Sequence, residues 1–207
     1  MRSSSLLPYA RRRIPVQDRS ERRVADFLEQ AAAVIAEVGY EATTMTEIAS
    51  RAGASIGAVY QYFPNKEAIT AALRVQYVKE LEARWASLET EADRLDAAGL
   101  GRKIIEHLIA FSEERPAFIP SLSAPKGIRK DPAVRGRLRE QFAALFLRKA
   151  PGLSRVEALQ IANVTLQVVK GLNELCVEAR AHDRPLIVSE YKVLLSTYLT
   201  SRLASER

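Results

Sequence analysis

Between Thr44 and Lys66 the chain reads TMTEIASRAGASIGAVYQYFPNK, a run of side chains suited to binding and not to covalent chemistry. Thr44 and Ser55 each open a short helical stretch, where backbone amides and the helix dipole favour a phosphate. Gln61 carries the donor and acceptor that match N6 and N7 of adenine, and Ile56 and Ala58 offer apolar surface for thymine methyls. Covalent chemistry has no comparable support. The two histidines, His107 and His182, lie far apart, and there is no paired metal-ligand spacing, no G-x-S-x-G and no phosphate-cradling glycine loop. Cys176 sits on an apolar helix face and reads as inert packing. No enzyme, metal site or cofactor is expected.

The binding residues need elements to hold them. Thr44 followed by Glu47 is the T-x-x-E capping box that starts a helix, with Ile48, Ala49 and Ala52 on one face. Gly53 stands where the chain must turn left-handed. Ser55 caps a second helix whose Val59 and Phe63 point inward at four-residue spacing. Two helices joined by so short a turn form a helix-turn-helix, whose second member can lie in a DNA major groove. Upstream, Asp18 and Glu21 form another capping box. The stripe Val24, Phe27, Leu28, Ala31, Ile35 and Val38 predicts a first helix, closed by Gly39, that packs on the other two.

The residues Thr43, Thr44, Ile48, Ala49, Ala52, Gly53, Ser55, Gly57, Tyr60, Tyr62, Phe63, Asn65 and Lys66 fall in one register that resembles the TetR family of bacterial transcriptional regulators. The resemblance covers about residues 19 to 73. It implies that Tyr60, Tyr62 and Lys66 hold the DNA backbone, and that Gly57 lies where the recognition helix comes too near the duplex for a side chain. For Tyr60, core packing is the alternative. The family often carries a basic residue where this chain has Ile56, so base reading is expected from Ile56, Ala58 and Gln61, over an operator with A·T pairs under the helix.

Charge distribution agrees. Of the net +6, residues 1 to 23 hold seven arginines against Asp18 and Glu21, or +5, leaving the rest of the chain near neutral. A basic arm on a neutral body suits a polyanion. Arg19, Arg22 and Arg23, with the arm arginines, should add salt-sensitive affinity. A single cysteine and the absence of an apolar run of roughly 18 to 20 residues suit a cytoplasmic protein with no membrane partner.

The fold class is all-α. Residues 1–17 form a flexible basic arm, 18–66 a three-helix DNA-binding domain, and 67–207 a larger helical domain for ligand binding and dimerisation. A long helix begins after the Asn65 cap, with Ile69, Leu73, Tyr77, Leu81, Trp85 and Leu88 at near-helical steps, and links the two domains mechanically. Further helices follow at about 100–114, 118–122, 132–149, 154–181 and 185–204, with a basic loop SAPKGIRKDP before the third of these five. Aromatic and polar residues on otherwise apolar faces name a ligand pocket: Trp85, His107, Phe111, Phe118, Phe142, Phe146, Asn163 and Gln167. Between Val156 and Val177 apolar residues occupy more than one stripe. On the residues alone these stripes fit intrachain core; the resemblance implies a four-helix bundle between two copies, through Leu166, Val169, Leu172, Tyr191, Leu194, Leu195 and Tyr198. Gly171 marks a close helix crossing.

The expected function is a ligand-responsive repressor. It binds a near-palindromic operator as a homodimer and is released when a small apolar or aromatic molecule enters the second domain. An activator or partner-controlled regulator of the same fold is one alternative, and a non-specific nucleic-acid architectural protein is another.

Overall fold

The computed structural model describes residues 16–122 and 132–204. Over them the chain forms helices and no strand: α1 (Val16–Ala42), α2 (Met45–Arg51), α3 (Ile56–Tyr60), α4 (Lys66–Ala92), α5 (Ala97–Glu114), α6 (Phe118–Ser121), α7 (Pro132–Lys149), α8 (Arg155–Glu178) and α9 (Arg184–Leu203). The all-α architecture and the order of elements agree with the sequence reading. The arginines at positions 2, 11, 12 and 13 and the basic loop at 123–131 lie outside the described residues.

Local chemistry sets the boundaries. Gly39 breaks the helical path of α1 with φ 78° and ψ 168°, so the last residues of that element form a separate turn. Asn65 Oδ1 accepts the Ala68 amide at 2.8 Å and starts α4. Ser154 and Glu157 form a full capping box at α8. Asp96 Oδ1 takes the Gly99 amide at 2.6 Å, which starts α5 three residues earlier than the apolar pattern indicates. Two expectations fail here. Helix α1 already runs from Val16, so Asp18 lies inside it and is not its cap. The Glu47 carboxylate turns away from Thr44 to Arg51 Nε at 2.8 Å, leaving the first capping box half made.

The amino-terminal core is Phe27, Ala31, Val34, Ile35, Ile48, Val59 and Phe63, all buried. Val34 replaces Val38 in the inward stripe of α1; Val38 is half exposed. Helix α4, 27 residues and about 40 Å long, keeps every expected position of its stripe buried. It packs on α1 at one end and on α5, α6 and α7 further along, while α6 also rests on α1. Ion pairs tie α4 to its neighbours: Arg84 to Glu114 at 2.5 Å, Glu80 to Arg115 at 2.7 Å, Glu82 to Arg137 at 3.0 Å and Asp93 to Arg148 at 2.7 Å.

The carboxyl-terminal half is held by α5 on α9 and α7 on α8. A Cβ on Gly101 would lie 2.7 Å from the Ser196 Cα, so these two backbones touch where only glycine fits. Ser196 Oγ then donates to the Ala98 carbonyl at 3.0 Å. Sequence reading assigned Gly101 no role. At Gly171 the expected crossing takes another form: the close neighbour is the Tyr191 hydroxyl, 3.1 Å from a Cβ built there.

Candidate nucleic-acid interface

Helix α3 is anchored chiefly by one side chain and open on its outward face. Val59 is fully buried, and Phe63 just beyond the helix is nearly so. On the outward side Ile56 is 41% exposed and Tyr60 48% exposed, with Gly57 and Gln61 also open to solvent and Ala58 half-buried. Exposure of Tyr60 removes the core-packing alternative for it. Ser55 Oγ accepts the Ala58 amide at 3.2 Å, and Thr44 Oγ1 accepts the Glu47 amide at 3.1 Å. Each hydroxyl so used still has its own proton to donate outward. A Cβ on Gly57 would meet nothing nearer than Ser55 Oγ at 4.0 Å, so no intrachain contact demands glycine there.

The turn between α2 and α3 needs glycine for a different reason. Gly53 has φ 57°, a left-handed conformation that a side chain makes costly. Its N–H donates to the Ser50 carbonyl at 3.1 Å, while the Ala54 N–H reaches Ala49 at 2.9 Å. These bonds close α2 and aim α3 away from it.

Lys66 is less available than the resemblance implies. Its Nζ donates to the carbonyls of Tyr40 and Glu41, both at 3.0 Å, and lies 4.4 Å from the Tyr40 ring centroid. One of its three N–H bonds is left for a phosphate. Tyr40 in turn donates to Glu67 at 3.1 Å, and burial with that bond raises its pKa.

The three arginines of α1 differ in setting. Arg19 and Arg22 are exposed. Arg23 lies 5.3 Å from the Phe27 ring centroid and 3.9 Å from Asp26. Phe27 also meets Tyr62, ring centroids 5.7 Å apart, which brings Arg23 beside the exit of α3. Arg51, absent from the sequence reading, grips both Glu37 oxygens at 2.6 and 2.7 Å and Glu47 at 2.8 Å. Its guanidinium holds the Glu37 carboxyl below the ordinary range. The Glu47–Arg51 spacing of four was the available signal.

Comparison with known proteins bears on this arrangement. Residues 27–73 match the family described as bacterial regulatory proteins, tetR family, and residues 99–199 match the tetracyclin repressor-like C-terminal domain. The chain belongs to the TetR family. That family is one of bacterial regulatory proteins.

Two curated relatives match over part of their length. The HTH-type transcriptional repressor AcnR of Corynebacterium diphtheriae is 29% identical over 123 residues, covering 59% of each chain. An uncharacterized HTH-type regulator of Bacillus subtilis, YuxN, is 33% identical over 87 residues, covering 39% of this chain and 30% of that one. The chain thus spans from under a third to about three fifths of the curated relatives it matches. A TetR-family regulator from Pectobacterium atrosepticum superimposes with TM-score 0.73 at 19% identity, covering 94% of this chain and all of that one, a likeness of fold alone.

In the larger half of this TetR-family chain, six of the eight expected ligand residues fall into two aromatic groups. Trp85 stacks on His107 at 6.1 Å and meets Phe142 at 5.2 Å, and Phe142 meets Phe146 at 6.0 Å. Phe111 and Phe118 stand 5.0 Å apart, each edge-on to Tyr77, which sequence reading placed only in the core. Asn163 and Gln167 do not join them. They line an outward groove of about 400 Å³ between α8 and α9, with Val164, Val168, Tyr191 and Leu194.

The expected dimer residues divide likewise. Leu172 and Leu195 are fully buried inside the protomer, leaving no surface for a second copy, which corrects their assignment. Leu194 is 51% exposed, and Leu166, Val169, Tyr191 and Tyr198 are half-buried against the core. Val164, Leu175 and Val193 are also exposed on the same two helices. Cys176 is buried, and burial raises its pKa, in keeping with inert packing. Among the described residues no helix is long and apolar enough to cross a membrane.

Proposed function

We propose that this TetR-family regulator is a repressor that binds a near-palindromic operator as a homodimer and releases it when a small effector enters the carboxyl-terminal domain. The observation that carries the reading is the state of α3: Val59 fixes it to the core while Ile56, Gly57, Tyr60 and Gln61 face solvent together. A helix so presented fits a major groove, with Gln61 on an adenine edge and Ile56 and Ala58 against thymine methyls. Thr44, Ser55, Tyr60, Tyr62 and the remaining N–H of Lys66 serve phosphates, joined by Arg19, Arg22 and Arg23.

Residues 18–66 carry the DNA, and 67–207 carry sensing and dimerisation, with residues 1–17 as a basic arm. Exposed Val164, Leu175, Val193 and Leu194 on α8 and α9 support pairing of two copies through these helices. Trp85, Phe111, Phe118, Phe142 and Phe146, with His107, support an apolar or aromatic effector. Packing of α4 on α1 at one end and on α5 and α7 further along supports transmission by a shift of that helix. An effector acts only through unequal affinity for the two arrangements. The protein acts in the cytoplasm, with DNA, a small molecule and a second copy as partners.

Selection of bound fragments from the source genome tests the proposal, followed by gel shifts on the selected site with and without competing bulk DNA. A specific site with two-fold sequence symmetry is expected. Equal competition by bulk DNA would return the architectural reading instead.

A further inference from the structure

The same helix-starting pattern closes fully at α8 and only halfway at α2. At α8, Ser154 Oγ accepts the Glu157 amide at 3.2 Å, and the Glu157 carboxylate returns to the Ser154 N–H at 2.9 Å. At α2, Thr44 Oγ1 accepts the Glu47 amide at 3.1 Å, but Glu47 makes no return bond. The difference lies four residues beyond each glutamate, where a carboxylate and a cation meet on one helix face. Ile161 stands in that place on α8 and Arg51 on α2. Arg51 Nη1 and Nη2 grip both Glu37 oxygens at 2.6 and 2.7 Å, which fixes the guanidinium and leaves its Nε on Glu47 at 2.8 Å. Isolated surface pairs contribute little, whereas a two-pronged grip extended to a third group holds its geometry.

A Glu47 carboxylate returned to Thr44 would place a negative charge beside the hydroxyl that the reading above gives to a DNA phosphate. Like charges so placed repel. Resting on that reading, we propose that Arg51 is a positioning residue for DNA binding. Fastened to α1 through Glu37, it holds Glu47 away from Thr44 and leaves Thr44 free to meet a phosphate. All three Arg51 nitrogens are engaged by carboxylates, so it acts without touching the DNA.

Operator affinity and hydrogen exchange of the Thr44 amide are measured on the full chain for Arg51→Met, Glu47→Ala and their combination. In Arg51→Met the freed carboxylate should close on Thr44 as Glu157 does on Ser154. Exchange at that amide should slow, and operator binding should weaken by roughly tenfold. Glu47→Ala should restore most of that loss, while in the wild-type background it should change affinity by less than about threefold. Equal gain from Glu47→Ala in both backgrounds makes Glu47 a matter of net charge alone and overturns the assignment. A double variant as weak as Arg51→Met overturns it too, by putting Arg51 on the DNA itself or in the fold alone. Glu37→Ala, which leaves Arg51 in place but unfastened, should give a smaller loss that Glu47→Ala also cancels; it carries the test if Arg51→Met does not fold. A wild-type chain that favours no site over bulk DNA sinks the operator reading, whereas unchanged Thr44 exchange in Arg51→Met sinks the positioning role alone.

Discussion

The Lys66 ammonium sits over the Tyr40 ring at 4.4 Å and donates to the Tyr40 carbonyl at 3.0 Å, pinning the end of α1 to the start of α4. This joint lies where the DNA-binding helices meet the long helix of the larger domain, so it bears on stability and DNA binding together.

Lys66→Met should lower stability by about 1–2 kcal/mol, through two lost hydrogen bonds to a charged donor and the ring contact. Chemical denaturation measures this. An unchanged midpoint with weakened DNA binding would make Lys66 a phosphate ligand only.

Gln61→Ala should reduce discrimination at one base pair of the operator by roughly 1–3 kcal/mol. Tyr60→Phe should instead weaken all operators alike. Relative affinities across singly substituted operators separate the two. If Gln61→Ala leaves the ranking intact, Gln61 reads no base. Arg19→Ala should lower the salt slope by about one.

Gly101→Ala should destabilise the chain by about 1–3 kcal/mol, since a Cβ would stand 2.7 and 2.8 Å from Ser196 backbone atoms. Gly57→Ala, with nothing inside 4.0 Å, should leave folding stability within about 0.5 kcal/mol or raise it. Thermal unfolding of both variants tests the contrast. Equal melting temperatures would contradict the α5–α9 contact.

Stability should fall on acidification. Arg51 lowers the Glu37 carboxyl and the Ser154 bonds lower that of Glu157, so their contribution is complete above the ordinary value of 4.5 and vanishes as pH drops through the lowered folded values. Burial lowers His107 below 6.5, so its share begins to disappear as pH falls under that value. Glu37→Gln should flatten the profile below 4.5 and His107→Gln the part just under 6.5. Melting temperature against pH supplies the measurement.

Leu194→Asp should convert dimers to folded monomers, because Leu194 is half exposed on a face that a second copy would cover. Leu195→Ala should instead cost about 2–5 kcal/mol of folding stability, as a buried leucine truncation does. Sedimentation with circular dichroism distinguishes them. A Leu194→Asp protein that remains dimeric would move the interface elsewhere.

What the sequence determined by itself is local. Thr44, Ser55, Asn65 and Ser154 cap helices through bonds to amides three residues on, and Gly39 and Gly53 take positive φ where the chain must turn. Such chemistry spans a few residues, so the helix-turn-helix and the order of elements were legible. The tertiary structure alone decided which face of each helix looks inward. Helix α8 is apolar around most of its circumference, so its pattern cannot sort Leu172, which α8 buries, from Val164, which it exposes. The same ambiguity hid the outward groove holding Asn163 and Gln167, the exchange of Val38 for Val34, and the backbone contact at Gly101. Each depends on where a distant helix lies, and residue spacing within one helix carries no information about its neighbours.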